Sequence, residues 1–397
     1  MTTFTPDEHK GRQKSLAANL CSDGLQGVVV VSRGGSTLDR YADVLYLTGF
    51  YQSYSYLPDT PNLFSGRAHT AFVMTADGAS ILCVAVKEFE PGTVTAGDIR
   101  CSDDFTSTIA QALNELGLNS GIVGLIGADV LPYSQSRSLA QKLPDLIWQD
   151  CDELLQSIRR IKSPAELAII RRVAKLHVSC LSALEEAIAP GMTEAELFAV
   201  FGSHALRGGA GLYFTAMSSG VNIANWCSKP LPGFSNRQII AGEMIRFDMG
   251  IVLDGYLSDF GRTAVVGQPN IEQSRLLDTL HAGLDAVIDA IAPGRAVHEL
   301  VEIGEEALRT LGVAKKQGGA GIIHSSFPVH WGHGLGMGWE RPIMTDTENM
   351  IIKSGMYLAI ERTLTLPGTG TAAAEQTLLV TDTGTEILSA GPHGRWL

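Results

Sequence analysis

Within this chain of 397 residues, Ala187-Ile-Ala-Pro-Gly191 recurs as Ala290-Ile-Ala-Pro-Gly294, and Glu196-Leu197 recurs at the same offset as Glu299-Leu300. Each Pro-Gly turn stands between two helical patterns and is followed by strand-like segments. The second half therefore reads as two copies of one ααββ unit. Two such copies facing each other make a pseudo-twofold α+β domain, and the groove between symmetric halves is a natural ligand site.

The strands of each copy carry acids in a pattern. In the first copy, 244–253 and 256–266 are joined by Asp254-Gly255, a pair suited to the positive φ angles of a two-residue hairpin turn. That turn sets a register with Asp248 opposite Gly261 and Asp259 opposite Gly250, which places both acids on one face. In the second copy, 356–366 and 371–381 meet at Pro367-Gly368-Thr369, and Glu361 and Glu375 lie symmetrically about Gly368. They fall opposite each other, again on one face. Between the hairpins stands Trp331-Gly-His333-Gly-Leu-Gly336, a histidine among glycines. Carboxylates crowded together without partners are costly unless a cation sits among them. Asp248, Asp259, His333, Glu361 and Glu375 suit two borderline divalent ions (Mn, Fe, Co or Zn) better than a single structural zinc, which usually takes thiolates or histidines.

The first part of the chain follows a different rule. Segments 27–31, 69–74, 79–86 and 121–126 read as buried strands, while 107–116 and 134–143 read as helices. That alternation predicts an α/β domain on a parallel or mixed sheet. A boundary falls near 152–163, giving domains 1–157 and 158–397. Past it, Ser163-Pro164-Ala-Glu166 opens a long helix to about Ala187, with serine in the cap position and proline in the first turn.

Composition narrows the function. A net charge of −12 argues against nucleic acid or an anionic membrane as the main partner. No apolar run approaches the roughly 18 residues of a membrane helix. The opening residues are polar and acidic, without a signal-peptide core, and the 6 cysteines are scattered. Reduced thiols in a cytoplasmic protein are the expectation.

Taken together, these elements resemble the pita-bread metallopeptidases, and within them the aminopeptidase P/prolidase/creatinase branch. The matching elements are Asp43-Val-Leu-Tyr46-Leu-Thr48-Gly49-Phe50, Ile161-Lys-Ser163-Pro-Ala-Glu166, Ser219-Gly-Val-Asn222, Asp248-Met-Gly250, Gly255-Tyr-Leu-Ser-Asp259, Gly332-His333-Gly, Ile360-Glu361 and Glu375 with Leu379-Val-Thr381. The resemblance implies a creatinase-like N-terminal α/β domain ahead of a pita-bread catalytic domain. It also implies that Asp259 and Glu375 touch both ions, that Asp248 serves one ion, and that His333 and Glu361 serve the other. Glu361 is the implied proton shuttle, and the implied reaction is hydrolysis of a C–N bond in a small molecule or short peptide.

The substrate-handling positions depart from that pattern. Relatives place a histidine a few residues beyond Ser-Gly-x-Asn, whereas this chain reads Asn222-Ile-Ala-Asn225-Trp226-Cys227-Ser228. Relatives also carry His-Glu or His-Asp seven residues past the ligand histidine, where this chain has Trp339-Glu340-Arg341. The arginine usual two before the last ligand is Ala373, and the acid after that ligand is Gln376. His330 stands three before His333, where relatives have a histidine four before. His330 is the further candidate for catalysis, and Trp226, Trp339, Glu340 and Arg341 are the candidate substrate contacts. A pocket diverged from Xaa-Pro peptidases is the primary expectation. A genuine Xaa-Pro peptidase, a metal-dependent lyase and an inactive interaction module on the same fold are the alternatives. The aromatic tract 51–56, with the usual assembly of the family, points to a homodimer in which one N-terminal domain borders the partner's groove.

Overall fold

The computed structural model describes residues 4–34, 41–54, 68–87, 89, 92–225, 231–314, 321–325 and 330–390. The chain divides into two compact units, Met1–Arg159 and Arg160–Leu397.

Unit one is built on a sheet whose strands run in the order Asp98–Cys101, Ser80–Val84, His69–Thr75, Gly27–Arg33, Gly121–Ile126, Leu146–Asp150. The sheet is mixed, because Gly27–Arg33 pairs antiparallel with His69–Thr75 and parallel with Gly121–Ile126. Helices Pro6–Ser22, Ala42–Thr48, Phe105–Glu115 and Tyr133–Lys142 accompany it. Its core gathers Val29, Val31, Val73, Ile81, Ile109 and Leu113. The edge strands Asp98–Cys101 and Leu146–Asp150 were not foreseen. They are short and half-exposed, so neither shows a sustained apolar alternation. Asp43 forms a buried ion pair with Arg159 at 2.5 Å, and Gly49 ends the short helix in the left-handed conformation at φ 76°. The first of the family-like motifs therefore serves this unit's own scaffold.

Unit two carries the duplication. Its first copy comprises helices Pro164–Ala187 and Glu194–Arg207 with the sheet Gly211–Ser219, Met244–Leu253, Tyr256–Val265. The second comprises helices Ile271–Ala290 and Val297–Thr310 with the sheet Trp339–Ile343, Gly332–Leu335, Tyr357–Leu366, Gly370–Thr381, Gly384–Ile387. The repeated turns are equivalent in detail. Gly191 and Gly294 have φ of 94° and 93°, and their N–H groups donate to the carbonyls of Ile239 at 2.8 Å and Ile352 at 2.9 Å. The long helix opens on Ser163 in the foreseen cap position, and Glu166 completes a capping box: Ser163 accepts from Glu166 N–H while the Glu166 carboxylate accepts from Ser163 N–H. Each pair of helices packs on its own hairpin. Leu181, Leu184 and Phe201 meet Phe247 and Phe260 in one core, and Leu280, Leu284 and Leu300 meet Leu358, Leu364 and Leu378 in the other.

The two sheets are laced together where the acids lie. Thr263 Oγ1 donates to the Ala373 carbonyl and accepts from its N–H, both at 2.8 Å. Thr377 Oγ1 donates to the Asp259 carbonyl at 3.1 Å. These bonds set the strand of Asp259 beside the strand of Glu375. No helix among the described residues is long and apolar enough to cross a membrane. Cys21, Cys83, Cys101, Cys151 and Cys180 are free thiols.

Candidate metal centre

Both hairpins adopt the expected registers. Asp254 and Gly255 turn with φ of 51° and 83°, and Asp248 pairs with Gly261 while Gly250 pairs with Asp259. Glu361 pairs with Glu375. His333 reaches the cluster because Gly332–Leu335 lies against Tyr357–Leu366, with His333 opposite Ala359. Gly332 makes that approach possible: its φ is 130°, and a Cβ there would stand 2.0 Å from the Ala359 carbonyl oxygen.

The five side chains converge as two overlapping groups, Asp259 with His333 and Glu375, and Asp248 with Glu361 and Glu375. Within each group the ligand-capable atoms lie within 4.8 Å of one another. His333 Nε2 is 4.0 Å from Asp259 Oδ2 and 3.8 Å from Glu361 Oε1. The His333 Nδ1–H donates to the Gly334 carbonyl at 3.1 Å, which leaves Nε2 as a lone pair facing the acids. Burial holds this imidazole neutral by lowering its pKa to about 4.

Burial also raises the pKa of all four acids. Repulsion from neighbouring carboxylates adds to the rise at Asp259, Glu361 and Glu375. Asp248 Oδ1, Asp259 Oδ1 and Glu375 Oε1 are buried without a hydrogen-bond partner. A set of crowded acids with idle oxygens and one neutral imidazole is the donor chemistry that borderline divalent cations take. The residues fit the ions the family implies.

Buried arginines surround the cluster, and the sequence reading missed them. Arg246, two before Asp248 and so on the same face, pulls the pKa of Asp248 and Glu361 downward. Its Nη2 donates to Thr363 Oγ1 at 3.2 Å, and Thr363 pairs with Ala373. Positive charge thus stands next to the position where relatives carry an arginine and this chain has Ala373. Arg262 donates to the Glu375 carbonyl, and to Gln376 Oε1 at 3.1 Å. Arg362 donates to Glu305 at 3.0 Å and to the His330 carbonyl at 3.3 Å. An arginine inside an otherwise apolar strand was the available signal.

The other candidates divide. His330 comes to the site, with Nδ1 3.5 Å from Glu361 Oε1. Trp339 also comes, donating its Nε1–H to Asp259 Oδ2 at 2.6 Å. Glu340 does not, and that expectation is corrected: its carboxylate binds Lys162 Nζ at 2.9 Å, and the two side chains are 3% and 2% exposed. Neighbours on a strand face opposite ways, so with Trp339 turned to Asp259, Glu340 is turned inward. Arg341 is exposed and paired with Glu348 at 2.7 Å, the salt bridge that competes with a role in gripping substrate. Trp226 lies outside the described residues.

Fold and site together define a two-unit metallohydrolase with a duplicated catalytic half. The sequence pattern of metallopeptidase family M24 matches residues 168–382, and that of the creatinase/prolidase N-terminal domain matches residues 12–161. The chain belongs to metallopeptidase family M24. The Xaa-Pro dipeptidase of Pyrococcus furiosus is 27% identical over 278 residues, 69% of this chain and 75% of that one. An uncharacterized peptidase of Staphylococcus haemolyticus is 26% identical over 267 residues, 67% of this chain and 72% of that one. The crystal structure of a prolidase from Thermococcus sibiricus covers 98% of each chain with a TM-score of 0.80 at 20% identity. A prolidase structure from Pyrococcus horikoshii covers 96% of this chain and 99% of its own, with a TM-score of 0.78 at 21% identity. At these identities the structural likenesses speak for the fold.

Proposed function

We propose that this protein hydrolyses a C–N bond in a small substrate, an amide or amidine-like group, with two divalent ions held by Asp248, Asp259, His333, Glu361 and Glu375. The observation that carries this reading is the convergence of four acids, Asp259 and Glu375 buried and Asp248 and Glu361 half-buried, three of them with an idle oxygen, on one neutral imidazole. When bound, the ions supply an acidified water and polarise the scissile group. Glu361 is suited to take a proton at Oε1 and pass it to the leaving nitrogen, since burial and the charge of Asp248 raise its affinity for that proton. His330 accepts the Gly332 N–H at Nδ1, 3.2 Å away, and burial keeps it from protonating readily. Nδ1 is the ring atom that faces Glu361 Oε1, at 3.5 Å, which leaves Nε2–H as the donor His330 can offer a substrate acceptor. The domains are 1–157 and 158–397, and the protein works in the cytoplasm as a homodimer. Of the aromatic tract 51–56 that motivates the dimer, Ser55 and Tyr56 lie outside the described residues.

The pocket reads as diverged from Xaa-Pro peptidases. Two histidines of the family pattern are missing, and Glu340, at one of their positions, is bound to Lys162. A peptide carbonyl left without its partner costs about 1–3 kcal/mol per hydrogen bond. Two such losses lower turnover by roughly two to four orders of magnitude. The second reading is a genuine Xaa-Pro dipeptidase, favoured by the name of the Pyrococcus furiosus relative and by His330 at the site. Hydrolysis of Ala-Pro and Gly-Pro by the Mn- and Co-loaded protein decides between them. Weak or absent turnover is expected, and ordinary prolidase-like rates would return the chain to the second reading.

A further inference from the structure

We propose that Trp339 is a positioning residue for the metal centre, its indole N–H fixing the carboxylate of Asp259 for ion binding. The inference rests on the reading of Asp259 as a ligand. Asp259 is 1% exposed. Its Oδ2 accepts the Trp339 indole at 2.6 Å, while its Oδ1 has no partner. Oδ2 is thus tied to the indole while standing 4.0 Å from His333 Nε2, and Oδ1 is idle in the same group of Asp259, His333 and Glu375. The indole thereby sets which way the carboxylate is turned. A donor bonded to an ionised carboxylate is short and strong, and a ligand held by such a neighbour loses much of its orientation when the neighbour goes.

The ring is itself held in place. Its centroid lies 5.5 Å from that of His333 and 5.7 Å from that of Phe214. His333 belongs to the same group of ligand candidates as Asp259, so one side chain touches two members of that group. Among the described residues the indole's hydrogen bond and ring contacts reach Asp259, Phe214 and His333 and not Asp248 or Glu361, so the expected effect is largest on the ion that Asp259 and His333 both face. Trp339 is also 57% exposed. The same indole that holds a buried ligand is open to whatever enters the groove, and shortening it opens no cavity in the core.

The test is a Co²⁺ titration of the chelator-treated, full-length protein, followed by calorimetry and by visible absorption. Trp339→Phe removes the N–H and keeps an aromatic ring between Phe214 and His333. A second variant carries at 339 the benzothiophene analogue of tryptophan, which has the indole's shape without its donor. The parent is expected to bind two ions. Both variants are expected to keep the parental melting temperature, to bind at least one ion about 10- to 100-fold more weakly, and to change the cobalt absorption. Parental affinity and spectrum in the benzothiophene variant would overturn the proposal, because the donor would then be irrelevant. A parent that binds no cobalt at all would instead overturn the metal-centre reading, and this inference with it.

Discussion

Two kinds of buried acid coexist in this molecule. Asp43 and Glu340 are each answered inside the chain by a cation, Arg159 at 2.5 Å and Lys162 at 2.9 Å. Glu194 is answered by neutral donors: its carboxylate accepts from Ser219 Oγ at 2.7 Å and from Ser235 N and Oγ at 2.9 and 2.8 Å. Asp248, Asp259 and Glu375 each keep a buried oxygen with no partner, and burial raises their pKa. Burial alone therefore does not separate scaffold from site. What separates them is whether the chain satisfies the charge it has buried. Among the described residues, and Glu185 apart, the acids it leaves with an unpartnered oxygen are those that converge within reach of an ion.

Substitution of Asp259 tests that contrast with the largest expected effect. Asp259→Ala should reduce activity to background and remove at least one ion, measured by turnover and by metal content after gentle purification. In chelator, the same variant should unfold at a urea concentration no lower than the parent, because one of several crowded acids has gone. Full activity in a metal-stripped parent would sink the metal reading outright.

Glu340→Gln should do the opposite. It leaves the Lys162 ammonium buried without its counter-charge, and breaking a buried pair from one side costs about 3–5 kcal/mol. Urea unfolding should show that loss, while turnover per folded molecule stays near the parent's. Normal stability with lost turnover would move Glu340 from the scaffold back to the site.

The sequence made one side of this contrast easy to read and hid the other. The acid-bearing hairpins were legible because Asp254-Gly255 and Gly368 fix their registers, and a fixed register fixes the face each acid occupies. Glu340 was not legible. Its partner lies 178 residues away in sequence, and an acid beside a tryptophan and an arginine looks the same in a groove or in a buried pair. The Trp339–Asp259 bond spans 80 residues and was equally out of reach, although both residues had been singled out. The duplicated helices of unit two followed from their repeated Pro-Gly turns. In unit one, by contrast, the edge strands Asp98–Cys101 and Leu146–Asp150 are too short and too exposed to leave a pattern.

Glu185 supplies the finest test, because it belongs to neither kind. It is 3% exposed, and both of its carboxyl oxygens lack a hydrogen-bond partner. Burial pushes its pKa from 4.5 up to about 7, against the pull of the Arg262 guanidinium. A carboxyl whose folded pKa is raised contributes stability below its unfolded value and loses it as pH rises through the folded one. The parent should therefore lose stability relative to Glu185→Gln between pH 4.5 and about 7, by roughly 3 kcal/mol, and the gap should stay constant above that range. Urea midpoints taken across the range in chelator and again with Mn²⁺ check it. If Glu185 stands apart from the metal centre, the two series run parallel. A gap that closes when the ions bind would join Glu185, through Arg262 and its bond to the Glu375 carbonyl, to the acids that answer to metal.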